Sequence, residues 1–515
     1  MFARRAAATG GCSRRVIVSA GVSDTTSAHS TESTRKNAQH DGTNRRLDEK
    51  CVSQRCRERA RSAHLEQMEV HNGSMHYGMC GHILASRTRT NVEWARRMVA
   101  DVLFGDEALE SNIVFVGSYR DAWKLVLQAA SFDRDGAFRG ISQKEFASEA
   151  TVVVSELDTM EVLQLCHRML PGVQVGRLST LTKDTNIADS EQAPRRKKDR
   201  RASTREVQRE ELYKGALSSS RTISDQWLDG NRRCLENAAL VSMVPACDVT
   251  GHAVFSVNEL ASVVSELRRR YHQTKVCIDA RTLAMRPAVL AQLARSGVDF
   301  MMLDSEWFGC PEPIQVLYVQ NLSLLRGMTP MLGGEAVEHV SLSQHECAAD
   351  CRQSLEAWSE PAASRIFALG AALASIRDSE GHARLAHSEK RAMQKAQEFK
   401  EKLSAASSQW DGIWTHRVQL LQEPDSANAF LPVVSLALHN MSDDAISNLQ
   451  NAVRNHNLSV EMCRSRSRRQ MWLPRKLVDD DKIRSASVLL RIRVAEDTDH
   501  SAFDLLLNCL KNALA

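Results

Sequence analysis

No apolar run in this 515-residue chain approaches the ~20 residues that cross a bilayer, so nothing in it predicts a membrane helix. Charge of one sign is not in excess either. The formal net charge is +4, which excludes a wholesale polyanion partner for the chain as a whole. The 13 cysteines are odd in number and scattered, a pattern that argues against a secreted disulfide framework and for reduced thiols. Acidic residues are missing before Asp24, while Arg4, Arg5, Arg14 and Arg15 stand close to the start. An Arg-rich, acid-poor segment over residues 1–22 predicts a mitochondrial transit peptide and a matrix location. No hydrolase triad, Walker loop, GxGxxG or paired zinc histidines are found. Lysine is absent from the whole interval between Lys275 and Lys390.

What remains is 43% apolar and 25% charged, the balance of a large water-soluble chain with room for more than one core. Residues 23–74 are rich in Ser, Thr, Arg and Asn and are expected to be disordered. A large domain is expected over 75–377, interrupted by a polar insertion at 182–226. A linking helix and a smaller C-terminal α/β domain follow over 378–515. The apolar runs Ile113–Val116, Ala150–Ser155, Ala238–Val244, Val276–Ala280, Val298–Leu303 and Ile314–Val319 read as buried strands, because uninterrupted short runs mark strands covered on both faces. Helical spacing falls between them, at Asn91–Phe104, Gly117–Ala130 and Phe255–Tyr271. Alternation of this kind predicts an α/β fold with a mainly parallel sheet.

The stretch Val298–Val319 then stands out. Val298, Asp299, Pro311, Leu317, Tyr318 and Val319 fit, without a gap, the cofactor-lysine segment V-D-x-x-x-x-S-G-H-K-x-x-G-P-K-G-x-G-x-L-Y-V of cysteine desulfurases. On these residues the chain resembles that family, the class V aminotransferase-like branch of fold-type-I enzymes that use pyridoxal phosphate (PLP). The resemblance implies a PLP-transferase fold with a large and a small domain. It also implies a site, and there the chain departs from the pattern. The Schiff-base lysine position is Trp307. The phosphate-binding Ser and His become Asp304 and Glu306. The phosphate-cradling turn reads VGSYRDAW, with Arg120 expected as an exposed surface arginine. The ring-stacking His is Thr159, following Asp158, and the Gln that meets the cofactor's phenolic oxygen is Thr282. Asp279, at the end of its strand, is a remnant of the carboxylate that pairs with the pyridinium. The persulfide Cys position counts to Arg466, with Cys463 three residues early, and Leu489 stands at the substrate-carboxylate Arg.

These substitutions lead to the expectation that PLP binding is lost and no cofactor is held. Trp307 is expected to fill part of the vacated cavity. The reading is a catalytically inactive desulfurase-like protein: a scaffold, an assembly subunit or a dimer partner in mitochondria, linked to iron–sulfur or ribonucleoprotein assembly. The alternatives are an enzyme with a remodelled site drawn from Asp279, Asp304, Glu306, Cys247, Cys310 and Cys463, or a residual desulfurase. No metal site is expected; His345, Cys347 and Cys351 read as structural. A homodimer or a heterodimer with an active paralogue is expected. The basic segments 194–201 and 464–476 suit RNA or an acidic protein surface, since arginine forks match phosphate and carboxylate.

Overall fold

The structure, a computed structural model, describes residues 54–71, 83–131, 151–170, 173–178, 223–327 except 250, 252, 254 and 256, 363–378, 382–409, 417–421, 431–455, 460–464 and 485–514 except 495 and 497. Its first element corrects an expectation. Residues Gln54–His71, inside the segment expected to be disordered, form helix α1. Cys56, Ala60, Ala63 and His64 fall at helical spacing on one face and are buried. The composition hid that stripe because arginines fill the other positions.

The large domain is built on a seven-stranded sheet in the order β1-β7-β6-β5-β4-β2-β3. Its strands are β1 (Ile113–Val116), β2 (Thr151–Ser155), β3 (Gln174–Leu178), β4 (Ala238–Met243), β5 (Lys275–Asp279), β6 (Phe300–Asp304) and β7 (Gln315–Val319). Neighbours from β3 through β6 run parallel, and β7 lies antiparallel to both β6 and β1. Every side chain of β1, β4, β5 and β7 is buried, as a sheet covered on both faces requires. Helices α2 (Ile83–Val99), α3 (Tyr119–Ala130), α4 (Met160–Met169), α5 (Val257–Arg270), α6 (Pro287–Arg295) and α7 (Ala363–Asp378) supply the cover. One core lies under α2, α5, α6 and α7, the other under α3 and α4.

Helix α8 (His382–Gln409) carries the chain to the small domain. There the antiparallel sheet β10-β11-β9-β8 consists of β8 (Val418–Leu420), β9 (Val433–His439), β10 (Val460–Arg464) and β11 (Ala486–Arg493), with α9 (Asp443–Asn455) and α10 (His500–Leu514). Its core includes Phe399 of α8 stacked on Phe503 of α10 at 4.3 Å between ring centroids. The α/β class and the two-part architecture read from the sequence are therefore present. No helix among the described residues is long and apolar enough to cross a membrane. The insertion 182–226 lies outside the described residues except for its last four.

Two close approaches hold α1 and α7 in place. The Cys56 thiol donates to the Ala372 carbonyl of α7 at 2.9 Å. Gly370 lets α7 touch α2, because a Cβ there would stand 2.7 Å from the Ala95 Cβ and 2.8 Å from its Cα.

Candidate functional site at the carboxyl ends of the strands

In a parallel sheet the carboxyl ends of the strands and the helix starts that follow them form a crevice. Asp279 ends β5 and lies in this crevice, 3% exposed. Its carboxylate is fully engaged. Tyr119, the first residue of α3, donates its hydroxyl to Oδ2 at 2.9 Å. Arg281 donates from Nε to Oδ1 at 2.9 Å and from Nη2 to Oδ2 at 2.6 Å. The same guanidinium lies over the Tyr119 ring, 3.8 Å from its centroid. Ser118 fixes the start of α3 by capping it through the Asp121 amide, which aims Tyr119 at β5. Burial, followed by the Asp279 charge, holds the Tyr119 hydroxyl well above the usual tyrosine range.

Beside this group stands Asp158, 1% exposed. One oxygen accepts from the Ser155 amide at 2.8 Å. The other has no partner among the described residues, and neither do the buried hydroxyls of Thr159, Ser242 and Thr282. Burial, and then the Asp279 charge, pushes the Asp158 carboxyl up to about 7. Ser242 stands close enough to temper that rise without reaching hydrogen-bond geometry.

The loop from Asp304 comes next. Asp304 caps a short 3-10 turn, Ser305–Phe308, by accepting from the Glu306 amide at 2.7 Å. Gly309 ends the turn at φ 72°, a left-handed conformation that glycine adopts without strain. Burial and the nearby Glu306 charge raise the Asp304 carboxyl above its ordinary range. Trp307 is buried, within the core that also holds Phe308 and α7. Glu306 points the other way, to Arg493 of β11, at 2.7 Å. That guanidinium also covers the Trp307 ring at 5.2 Å.

Strand alternation puts Leu489, Arg491 and Arg493 on one face of β11. Leu489 packs with Leu157, Val244, Cys247 and Val249 of the large domain. Two residues on, Arg491 pairs with Asp248 at 2.7 Å. Sequence reasoning settled on Leu489 and passed over the arginines beside it, although the strand's period of two was the signal that gives them the same face. Tyr119 and Arg281 were also missed as site residues. Arg120, as expected, is largely exposed and pairs with Glu161 at 2.6 Å. Cys247 and Cys310 are buried. Among the described residues no cluster is fit for a metal. Arg466, His345, Cys347, Cys351 and the segments 194–201 and 465–476 lie outside the described residues.

Residues 226–411 match the family model of the class-V aminotransferases. Solved structures add the fold. The cysteine desulfurase CsdA from Escherichia coli superposes with a TM-score of 0.52 at 15% identity, covering 88% of this chain and 91% of that one. The apo cysteine desulfurase from Thermococcus onnurineus NA1 does so at 0.56 and 15%, over the same shares of 88% and 91%. The chain has the fold of these desulfurases, the PLP-transferase fold. A NifS-like protein agrees, with a TM-score of 0.51 at 15% identity, over 90% and 96% of the two chains. No curated protein sequence matches the chain.

These findings overturn the expectation that the chain has no cofactor to hold. The class-V domain and the desulfurase fold both point to PLP. The crevice fits that group at its ring end. Asp279 is in place at the end of β5, and the unpartnered hydroxyls of Thr159 and Thr282 lie at two positions that the resemblance assigns to ring contacts. Arg281 and Tyr119 now hold the carboxylate that would face the ring nitrogen. A covalent tether is not available at position 307, where tryptophan replaces lysine. The cofactor would supply an electron sink; the residues that would hold it here do so without a bond to the chain.

Proposed function

We propose that this desulfurase-like chain does not release sulfur from cysteine and works by binding, as a scaffold, an assembly subunit or a partner of an active paralogue. The observation that carries this reading is Trp307, packed into the core at the lysine position, with no lysine between Lys275 and Lys390 to replace it. Desulfuration in this fold needs an amine that tethers the cofactor and moves protons, and an indole does neither. A fold outlives its chemistry when its surface still has work to do. Fold-type-I relatives pair through a large shared surface beside the crevice, and we take this chain to pair likewise, with itself or with an active paralogue. The Arg-rich start supports action in the mitochondrial matrix. The basic segments 194–201 and 464–476 support contact with RNA or an acidic protein. Sulfide release from cysteine, measured with dithiothreitol and with PLP supplied, tests the reading. Background release is expected, and turnover above it that scales with protein concentration overturns it.

A further inference from the structure

The two carboxylates at the Asp304 loop sit among cations supplied by other elements. Burial and the Glu306 charge raise the Asp304 carboxyl, and the Arg281 charge offsets part of that rise. Arg493 pairs with Glu306 and stacks on Trp307. Glu306 and Arg493 are each about a quarter to a third exposed, at 30% and 26%, so the pair stands at the crevice mouth rather than in the core. It is also a bridge between domains: Glu306 belongs to the large sheet's loop and Arg493 to the small sheet. The second bridge, Arg491 to Asp248, lies two residues along the same face of β11. Apolar contact around Leu489 completes the seam.

We infer that Glu306 is a built-in anion that latches the small domain through Arg493 and keeps a phosphate group from that guanidinium. An arginine fork takes carboxylate and phosphate with the same geometry. A phosphate entering the crevice mouth must therefore displace Glu306 from Arg493, and the domains loosen as it does. Binding and opening are one equilibrium, with Glu306 setting its position. The inference stands whether or not the chain turns over cysteine, so its failure and that of the inactive reading are separable.

The test uses the full chain and three variants: Glu306→Gln, Arg493→Gln and the double variant. Inorganic phosphate, PLP and phosphate-free pyridoxal are titrated calorimetrically, and hydrogen exchange is followed over residues 300–319. Glu306→Gln is expected to tighten phosphate and PLP by about tenfold, the scale of one charge-assisted fork, and to leave pyridoxal unchanged. Arg493→Gln and the double variant are expected to show no gain for any probe. Exchange over Ser305–Phe308 is expected to quicken in all three. Unchanged phosphate affinity in Glu306→Gln, an equal gain for pyridoxal, or a gain that survives in the double variant would each overturn the latch. A Glu306→Asp variant, which keeps the charge and the fold, is expected to bind phosphate as the native chain does; a gain there counts against it as well.

Discussion

The Tyr119 hydroxyl meets the Asp279 carboxylate at 2.9 Å across 160 residues of chain, and Arg281 closes over both. A phenol, a carboxylate and a guanidinium thus satisfy one another where the start of α3 meets the end of β5.

Removing the phenol oxygen tests that arrangement. Tyr119→Phe takes one donor from a buried carboxylate that keeps Arg281. A loss of about 1–3 kcal/mol is expected in urea unfolding. No change would mean that the hydroxyl is dispensable to Asp279.

Asp158 makes the fold sensitive to pH in a definite direction. Its folded carboxyl titrates at about 7 against an ordinary 3.8, so the folded chain holds that proton more tightly. The resulting stability is fully present below about pH 4 and drains away as pH rises toward 7, beyond which it levels. Asp158→Asn removes the dependence. The stability of this variant relative to the native chain should climb between pH 4.5 and 7.5, read by denaturant unfolding at each pH. A difference that stays flat would show that Asp158 is already ionised at the lower pH.

Trp307→Lys alone is expected to give no cysteine turnover. Thr159, Asp304 and Glu306 stay as they are, Arg281 still holds Asp279, and groups that act together fail together. Sulfide from this single variant would show that a lysine is all the crevice lacks.

Arg268 and Asp299 form a buried pair, and Asp299 also accepts from the Val276 amide at 2.7 Å. Arg268→Ala would leave a wholly buried carboxylate short of its cation. A destabilisation of about 3–5 kcal/mol follows, measured as a lowered denaturation midpoint.

Gly370→Ala reverses a common rule. Alanine ordinarily favours a helix over glycine by about 1 kcal/mol. Here the added methyl meets Ala95 backbone at 2.8 Å, so α7 must move off α2. A loss of about 1–3 kcal/mol is expected, again by denaturation.

The sheet was legible because its strands are buried on both faces and their sequences run apolar without a break, as Ile113–Val116 and Gln315–Val319 show. Asp279 and the 304–307 loop were legible as positions because they close such runs. Their partners were not. Tyr119 reaches Asp279 across 160 residues and Arg493 reaches the loop across a domain seam. The period of two in β11 gives the face of Arg493 but not its partner, and no period marks the pairing of Tyr119 or Arg281. β8, three residues long and only half-buried, is too short to show a period. Helix α1 failed for the opposite reason: its small buried residues carry little hydropathy, and its arginines imitate a tail.

That helix also sets where the protein can be cut. A recombinant fragment begun at residue 75, the boundary suggested by composition, would discard Cys56 and Ala60 from the interior and take the thiol from the Ala372 carbonyl. It would also strip Arg57 from its seat against Gly309, behind the loop that holds Trp307. Any trimming of the N-terminal region that preserves the crevice has to stop short of Gln54. Beyond that point a maturation cleavage becomes damage to the core.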